Sequence, residues 1–339
     1  MTKHLYGLIA TPYGVAANNR GENEGNITTL QKILWNGEVH TTVSAEAIRW
    51  ALRYQWQRKG IPVNRRWDEE KNEHDWQDQR WTSWTAAGGD AKQTFIDDDV
   101  LGFMVAEAAS TEGDEELGGK REERDRLRKE AEGMNPQEKK SEEGKRLRER
   151  LRLLNEEIKQ AGKGTAIKRR GALEVTRAVS LTPFSGDMTF NAKSGEKTST
   201  SLYGTEVHAT RYQYGFAVTP EALRQKERII DVVDGFVGLS EVGGNQSRFL
   251  FDFSPEAVVF RWTDDLAPRI LYGFALDGAG NIVAPSVARK IEAGDIDPRE
   301  VVAGGPVGFG SGSAALKVHP GVSAAAEEVK ARIRSDLGL

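Results

Sequence analysis

Between Glu112 and Arg170 the chain places 33 charged residues in 59, and no aromatic residue occurs between Phe103 and Phe184. A segment of that kind has too little apolar surface to organise a core. It is therefore an insertion or a mobile arm, and the fold around it is discontinuous in sequence. Within it, Leu147, Leu151, Leu154 and Ile158 recur at spacings of 4, 3 and 4, which predicts a helix over 145–160 with one narrow apolar stripe. That helix reads either as a solvated element packed along one edge, or as a basic surface approaching nucleic acid. Lys145, Arg146, Arg148, Arg150 and Arg152 cluster there and Lys168, Arg169 and Arg170 follow, while interleaved glutamates oppose the second reading.

The block holds 18 basic and 15 acidic residues, a net of +3, so a chain of net charge −4 leaves −7 for the remainder. A net acidic chain of 339 residues argues against a wholly basic nucleic-acid coat, and 38% hydrophobic content can supply a real core. Cysteine is absent, which removes disulfides, thiolate metal sites and cysteine nucleophiles and fits a reducing compartment. The apolar run near the N-terminus is too short for a signal sequence and no stretch approaches the ~20 apolar residues of a membrane span. The expectation is a cytoplasmic protein without membrane contact.

Seven of the eight tryptophans, Trp35, Trp50, Trp56, Trp67, Trp76, Trp81 and Trp84, lie in one N-terminal stretch. The last four fall in a polar run, which suggests packing on another surface or stacking on bases. Leu5–Ala10 reads as a strand. A helix is expected from Ala45 to Lys59, capped by Ser44 and ended by Gly60, with Ile48, Leu52 and Trp56 on its core face and Arg49 and Arg53 along an adjacent edge. Phe95–Met104, Leu173–Leu181, Val207–Val218, Arg248–Phe253 and Ala257–Trp262 read as further strands. Arg177 falls on the apolar face of the second of these, where it needs a carboxylate or a phosphate as partner. Thr219-Pro220 is read as a helix start, with Leu223, Ile229, Ile230 and Val233 buried and Gly235 at its end. The sequence DGAGN joins Ile270–Leu276 to Asn281–Ala284 as a hairpin, and Ser323–Arg334 forms a terminal helix. The alternation of strands and helices predicts an α+β fold with an RRM- or ferredoxin-like sheet carrying insertions.

Catalytic patterns are sparse. His4, His40, His74, His208 and His319 form no metal-ligand spacing, and Gly162-Lys163-Gly164-Thr165 lacks the first glycine of a phosphate loop and a preceding strand. Gly308-Phe309-Gly310-Ser311-Gly312 has no credible triad partners. Asp97-Asp98-Asp99 is the one acidic cluster suited to Mg²⁺, but three consecutive side chains at a strand entrance diverge, so a capping role is expected. What remains, Asn, Arg, Lys and Gly around a sheet, suits gripping a phosphodiester chain.

Four blocks in order then resemble the DevR-type backbone subunit of the CRISPR surveillance complex Cascade, type I-B, in the RAMP superfamily. These are Asn18-Asn19-Arg20-Gly21 with Leu30-Gln31-Lys32 and HTTVSAEAIRWALR (40–53); DDDVLGFM (97–104); LEVTRAVSLTPFSGD (173–187) with LYGTEVHATRYQYGF (202–216); and VGGNQSRFLFDFSP (242–255). The resemblance covers positions 18 to 255 but not the charged insertion. It implies a non-catalytic subunit of antiviral defence that polymerises along CRISPR RNA as a helical filament, grips and kinks its backbone, and presents the guide for pairing with target DNA. Partners would be CRISPR RNA, target DNA through the guide, further copies of the chain, and the other Cascade subunits: the 5′-handle cap, the large subunit and the repeat-processing endonuclease. No cofactor or metal is implied.

In family terms 1–60 and 170–320 would form an RRM-like palm, 61–169 helical fingers including the charged 112–170, 183–208 a thumb β-hairpin, and 321–339 a C-terminal helix. RNA contacts would come from Asn18, Arg20, Lys32, Ser44, Arg49, Arg53, Arg177 and the loop Gly243, Gly244, Asn245, Gln246 and Ser247. Phe184, Phe190, Leu202 and Tyr203 are the candidate wedges. Glu46 stands where the family commonly has a neutral amide, which turns that first helical turn toward helix stability. Two other functions stay open: an RNA-cleaving, type III-like backbone subunit using an aspartate and Mg²⁺, and a transcriptional autoregulator, for which no helix-turn-helix is apparent.

Overall fold

The computed structural model describes residues 2–18, 20–85, 94–105, 111–134, 141–161, 167–192, 202–243, 249–310 and 316–339. Contacts divide the chain into two compact units, Met1–Gly102 with Gly171–Leu339, and Phe103–Arg170. Mixed α and β structure makes up both. Among the described residues no helix is long and apolar enough to cross a membrane.

The larger unit is built on a nine-stranded sheet. Its centre runs Ala257–Thr263, His4–Ala10, Tyr212–Val218, Ala178–Ser180, each antiparallel to the next, with Glu38–Val43 and the edge strand Lys32–Trp35 beyond. Strict alternation along the strands explains why both faces are covered. Leu5 and Ile9, with Val258 and Phe260, face the helices Ala45–Arg58, Arg228–Val237 and Val322–Leu337. Tyr6, Leu8 and Ala10, with Ala257 and Val259, face a second core holding the helix Pro285–Glu292. A period of two sends successive side chains to opposite layers, so every residue of His4–Ala10 is buried. Gly7 is obligatory in that strand. A Cβ there would lie 2.1 Å from the Phe216 ring, which stacks on Phe236 at 4.1 Å and has nowhere to go.

Several expectations hold. The Ser44 hydroxyl accepts the Ala47 N–H at 3.2 Å and starts the helix Ala45–Arg58, and the strand Ala257–Thr263 and the terminal helix Val322–Leu337 lie where expected. The DGAGN hairpin forms, but only as Ala275–Leu276 with Ile282–Val283; residues 270–274 are not strand, and the chain turns at 271–272.

Others need correction. Phe95–Met104 is not one strand: Ile96–Val100 is a short helix with three aspartates in its first turn, where the helix dipole favours them, followed by the strand Gly102–Val105. Leu173–Leu181 breaks into Leu173–Val175 and Ala178–Ser180, because Thr176 bonds Gly215 through both backbone and hydroxyl. Arg177 falls in that break and is exposed rather than on an apolar face. Val207–Val218 likewise divides into His208–Thr210 and Tyr212–Val218. Thr219 stands at the cap position before Pro220, but its side chain makes no cap hydrogen bond. Its hydroxyl bonds the His4 ring at 2.7 Å, Pro220–Ala222 forms a single 3₁₀ turn, and the helix proper starts at Arg228, with Gly238 rather than Gly235 at its end and Ile230 only half-buried. Residues 249–253 form no strand. Phe251 and Phe253 alternate because both pack on Tyr212, at 5.6 and 6.0 Å, not because they join a ladder.

In the smaller unit, helices Thr111–Gly133 and Glu142–Ala161 pack on each other, and the strands Gly102–Val105 and Ile167–Arg170 pair. Leu154, in the expected stripe, is fully buried and Leu147 and Leu151 are partly so. The segment 162–166 lies outside the described residues.

Candidate nucleic-acid interface

The helix Ala45–Arg58 buries Ile48, Ala51, Leu52 and Trp56. Its 3.6-residue period then aims Arg49 and Arg53 at the segment after residue 95. Arg49 Nη2 donates to the Leu101 carbonyl, and Arg53 Nε donates to Asp97 Oδ2 at 3.1 Å. Asp97 also accepts the backbone N–H groups of Asn64 at 2.7 Å and Arg65 at 3.0 Å. This brings in a third guanidinium that sequence reasoning missed. Arg65 lies over the Trp76 ring at 5.3 Å, and its Nε is buried without a hydrogen-bond partner among the described residues.

Among the described residues, Arg53 alone of the three guanidiniums pairs with a carboxylate, Asp97; Arg65 reaches that carboxylate through its backbone N–H, and Arg49 bonds the Leu101 carbonyl. Burial, followed by the charge of Arg53, pushes Arg49 and Arg65 below the ordinary arginine range. A surplus of clustered, partly desolvated positive charge is relieved by an anion, and guanidinium forks match phosphate geometry.

The remaining candidates separate. Asn18 is buried, and its amide donates to the carbonyls of Val242 at 2.5 Å and Gly243 at 3.1 Å, so it tethers the N-terminal loop to the exposed Gly243. Gly244, Asn245, Gln246 and Ser247 lie outside the described residues. Arg20 is exposed, with no ion pair among the described residues. Lys32 is held by Glu206 at 2.6 Å and sits 4.8 Å from the Phe184 ring centroid. Arg177 donates to Gln31 Oε1 at 3.0 Å and Thr42 Oγ1 at 3.2 Å, and among the described residues no carboxylate pairs with it.

The 183–208 segment is more than a hairpin. Met188–Ala192 pairs with Leu202–Glu206, which continues in parallel onto Ile27–Leu30 and then Arg20–Glu24, giving four strands. The register places Met188, Phe190 and Leu202 on one face, opposite the small Gly204, and Tyr203 on the other. Phe190 and Leu202 are 73% and 59% exposed, an apolar pair presented to solvent. Phe184 instead packs edge-on against His208 at 5.5 Å, at the base of the element.

Asp97, Asp98 and Asp99 are all buried; Asp97 and Asp98 both meet Asn64, while Asp99 turns to the segment before the helix Arg228–Val237. Asp98 accepts the Trp81 indole N–H and the Asn64 amide, both at 2.9 Å. Asp99 accepts the backbone N–H groups of Arg224 and Gln225 and the Arg228 guanidinium at 2.8 Å. Among the described residues no three His, Cys, Asp or Glu side chains converge as metal ligands would.

Burial, with Asp97 adding to it, pushes the Asp98 carboxyl up to about 7. The folded chain then holds that proton more tightly than the unfolded one, so Asp98 weakens the fold as pH rises from about 4 towards 7. The variant Asp98→Asn is expected to gain melting temperature relative to the parent between pH 5 and pH 8. A constant difference across that range would contradict the assignment.

Trp50, Trp67, Trp76 and Trp81 pack largely on one another and on Tyr54, with ring centroids 5.3–5.8 Å apart, and Trp84 lies under Arg224 at 3.5 Å. The polar run therefore covers its tryptophans from within the chain.

The α+β body thus carries Arg49 and Arg53 along one helix edge and an exposed apolar pair, Phe190 and Leu202. No family model matches the sequence. It is 42% identical over 340 residues to the CRISPR-associated protein Cas7/Cst2/DevR of Myxococcus xanthus (strain DK1622), covering 96% of each chain. The chain belongs to the Cas7/Cst2/DevR family. Among solved structures it is similar to a chain of a CRISPR RNA-guided surveillance complex in a pre-nicking state, with 16% identity, TM-score 0.49 and coverage of 98% of this chain and 100% of that one. A chain of a second CRISPR RNA-guided surveillance complex has 14% identity, TM-score 0.48 and coverage of 98% and 99%.

Proposed function

We propose that the protein is a non-catalytic backbone subunit of a type I CRISPR surveillance complex, several copies of which line a CRISPR RNA and leave its bases free to pair with target DNA. Family membership at 42% identity carries this reading. The site is consistent with it: base pairing reads the sequence, so the protein has only to grip backbone and shape. Arg49, Arg53 and Arg65 would hold phosphate, with Arg20 close by in sequence to the Asn18 tether. Phe190 and Leu202 would wedge bases apart at a kink. In this reading the antiparallel strands His4–Ala10, Ala178–Ser180, Tyr212–Val218 and Ala257–Thr263, in spatial order fourth, first, third, second, are the RRM-like palm. The helical unit belongs to the fingers, and the four-stranded element containing 183–208 is the thumb. A cleavage role for the aspartates finds little support, since each carboxylate is already engaged by the fold.

Co-expression with a CRISPR array tests the proposal. The expected product is a large species with a high 260/280 nm absorbance ratio, containing RNA of guide length. A clean, RNA-free monomer would reject it.

A further inference from the structure

The four-stranded element containing 183–208 leaves the sheet after Ala178–Ser180 and returns through His208–Thr210. Its two stems meet at one neck, where the Thr182 and Thr210 hydroxyls lie 2.7 Å apart. His208 stands in that neck, only 3% exposed. Its Nε2 meets the Pro183 carbonyl at 3.1 Å and the Thr182 hydroxyl at 3.3 Å on the outgoing stem, and its Nδ1 meets the Thr41 hydroxyl at 2.7 Å on the sheet strand Glu38–Val43. A carbonyl only accepts, so Nε2 carries the ring hydrogen and Nδ1 is the acceptor. Thr41 then donates to Nδ1, and the buried Tyr212 hydroxyl donates to Thr41 at 3.0 Å. On the other side Thr210 donates to the Arg211 carbonyl at 3.1 Å, so Thr182 donates to Thr210 and accepts from His208. A second proton on the ring would turn Thr41 towards Tyr212 and leave the Tyr212 hydrogen without its acceptor, away from water.

Other ties join one stem to the sheet, as Phe184 N–H does to the Val39 carbonyl at 2.7 Å and Glu206 does to Lys32 at 2.6 Å. His208 joins both stems and the sheet through one rigid ring. We propose that His208 is a positioning residue, whose neutral ring clamps the neck of the four-stranded element and so holds Phe190 and Leu202 where they part the bases of a bound strand. The wedging role rests on the function proposed above, the clamp on the hydrogen bonds alone. Around the ring, His40 on Glu38–Val43 opposes a positive charge, Asp187 on the outgoing stem favours one, and Gly14–Ala16, paired with His208–Thr210, brings no titratable group. Lys32 and Glu206, close by on Phe184, neutralise each other, and burial keeps Tyr212 protonated. Burial prevails at His208 too and holds it below the ordinary histidine value of 6.5. The folded chain therefore binds this proton less tightly than the unfolded one, so the clamp stands at neutral pH and weakens as pH falls below that value.

Hydrogen–deuterium exchange of the full chain tests the clamp without RNA. In His208→Ala, protection of the amides of Met188–Ala192 and Leu202–Glu206 should fall at least about tenfold while that of Tyr212–Val218 is unchanged. In the parent, protection of the same two strands relative to Tyr212–Val218, corrected for intrinsic exchange, should fall between about pH 7.5 and about pH 5.5. His208→Gln, whose amide also offers one donor and one acceptor but does not titrate, should keep most of the protection and lose that pH response. Where His208→Ala does not fold, the pH comparison of parent with His208→Gln decides. Equal exchange in parent and His208→Ala, or a pH response that persists in His208→Gln, would overturn the clamp. For the wedge, the chain is assembled on guide RNA carrying 2-aminopurine, which brightens when its base unstacks. His208→Ala should retain its RNA and lose roughly half or more of that fluorescence. Unchanged fluorescence in a variant whose element has loosened would overturn the wedging role, whereas a parent that holds no RNA would reject the function proposed above and leave exchange to decide the clamp.

Discussion

Replacing Asp99 by alanine should lower stability by about 3–5 kcal/mol, the range for breaking a buried ion pair from one side. Asp99 is fully buried and Arg228 nearly so, and they meet at 2.8 Å. The same carboxylate satisfies the N–H groups of Arg224 and Gln225, where the chain approaches the helix Arg228–Val237. Among the described residues, alanine leaves the guanidinium with only neutral acceptors, the Thr94 hydroxyl and the carbonyls of Thr94 and Phe95. It also leaves two backbone donors without their acceptor. The melting temperature should fall by about 10 °C or more. Asp99→Asn, which retains one acceptor oxygen, should fall less. Urea titration of both variants checks the order. A loss below about 1 kcal/mol for alanine would show that this pair does not tie the 96–100 segment to the sheet-side helix.

Much of this fold is legible in the sequence because local chemistry and the global structure agree. Alternation in Leu5–Ala10, the Ser44 cap, the DGAGN turn and the aromatic-free boundary of the insertion each follow from neighbouring residues. What is not legible depends on partners far away in sequence. Asp97-Asp98-Asp99 gives no sign that its partners are Asn64, Trp81 and Arg228, so the segment reads as a strand entrance instead of a helix fixed from three sides. Strands exposed on both faces carry no alternation, which is why Arg20–Glu24 does not read as part of the 183–208 element. At the site, the residue types and the helix edge of Arg49 and Arg53 follow from sequence alone. Lys32 neutralised by Glu206, and Arg65 carried to the cluster by Asp97, do not. A pair of arginines followed by Trp67 is the available signal for Arg65, and only the fold gives it meaning.

Arg49→Glu is expected to be the most damaging single change for RNA binding, and the structure explains why it is preferable to a change at Arg53. Arg53 neutralises Asp97, so removing it exposes a buried carboxylate and confuses lost stability with lost affinity. Arg49 bonds only a carbonyl oxygen, and no carboxylate touches it among the described residues. Glutamate there replaces a cation beside Arg53 with a negative charge, cancelling charge that would attract phosphate. RNA content after purification at about 0.15 M salt should fall at least about tenfold, and the salt slope of binding should drop by about one for each phosphate left without its cation. Arg49→Lys should restore the charge but not the forked geometry, and so recover only part of the binding. Arg53→Gln should lose RNA together with melting temperature, because it strands Asp97, whereas Arg49→Gln, which strands no carboxylate, should lose RNA with the smaller fall in melting temperature. A folded Arg49→Glu protein with full RNA content and unchanged salt dependence would move the phosphate site away from this helix edge.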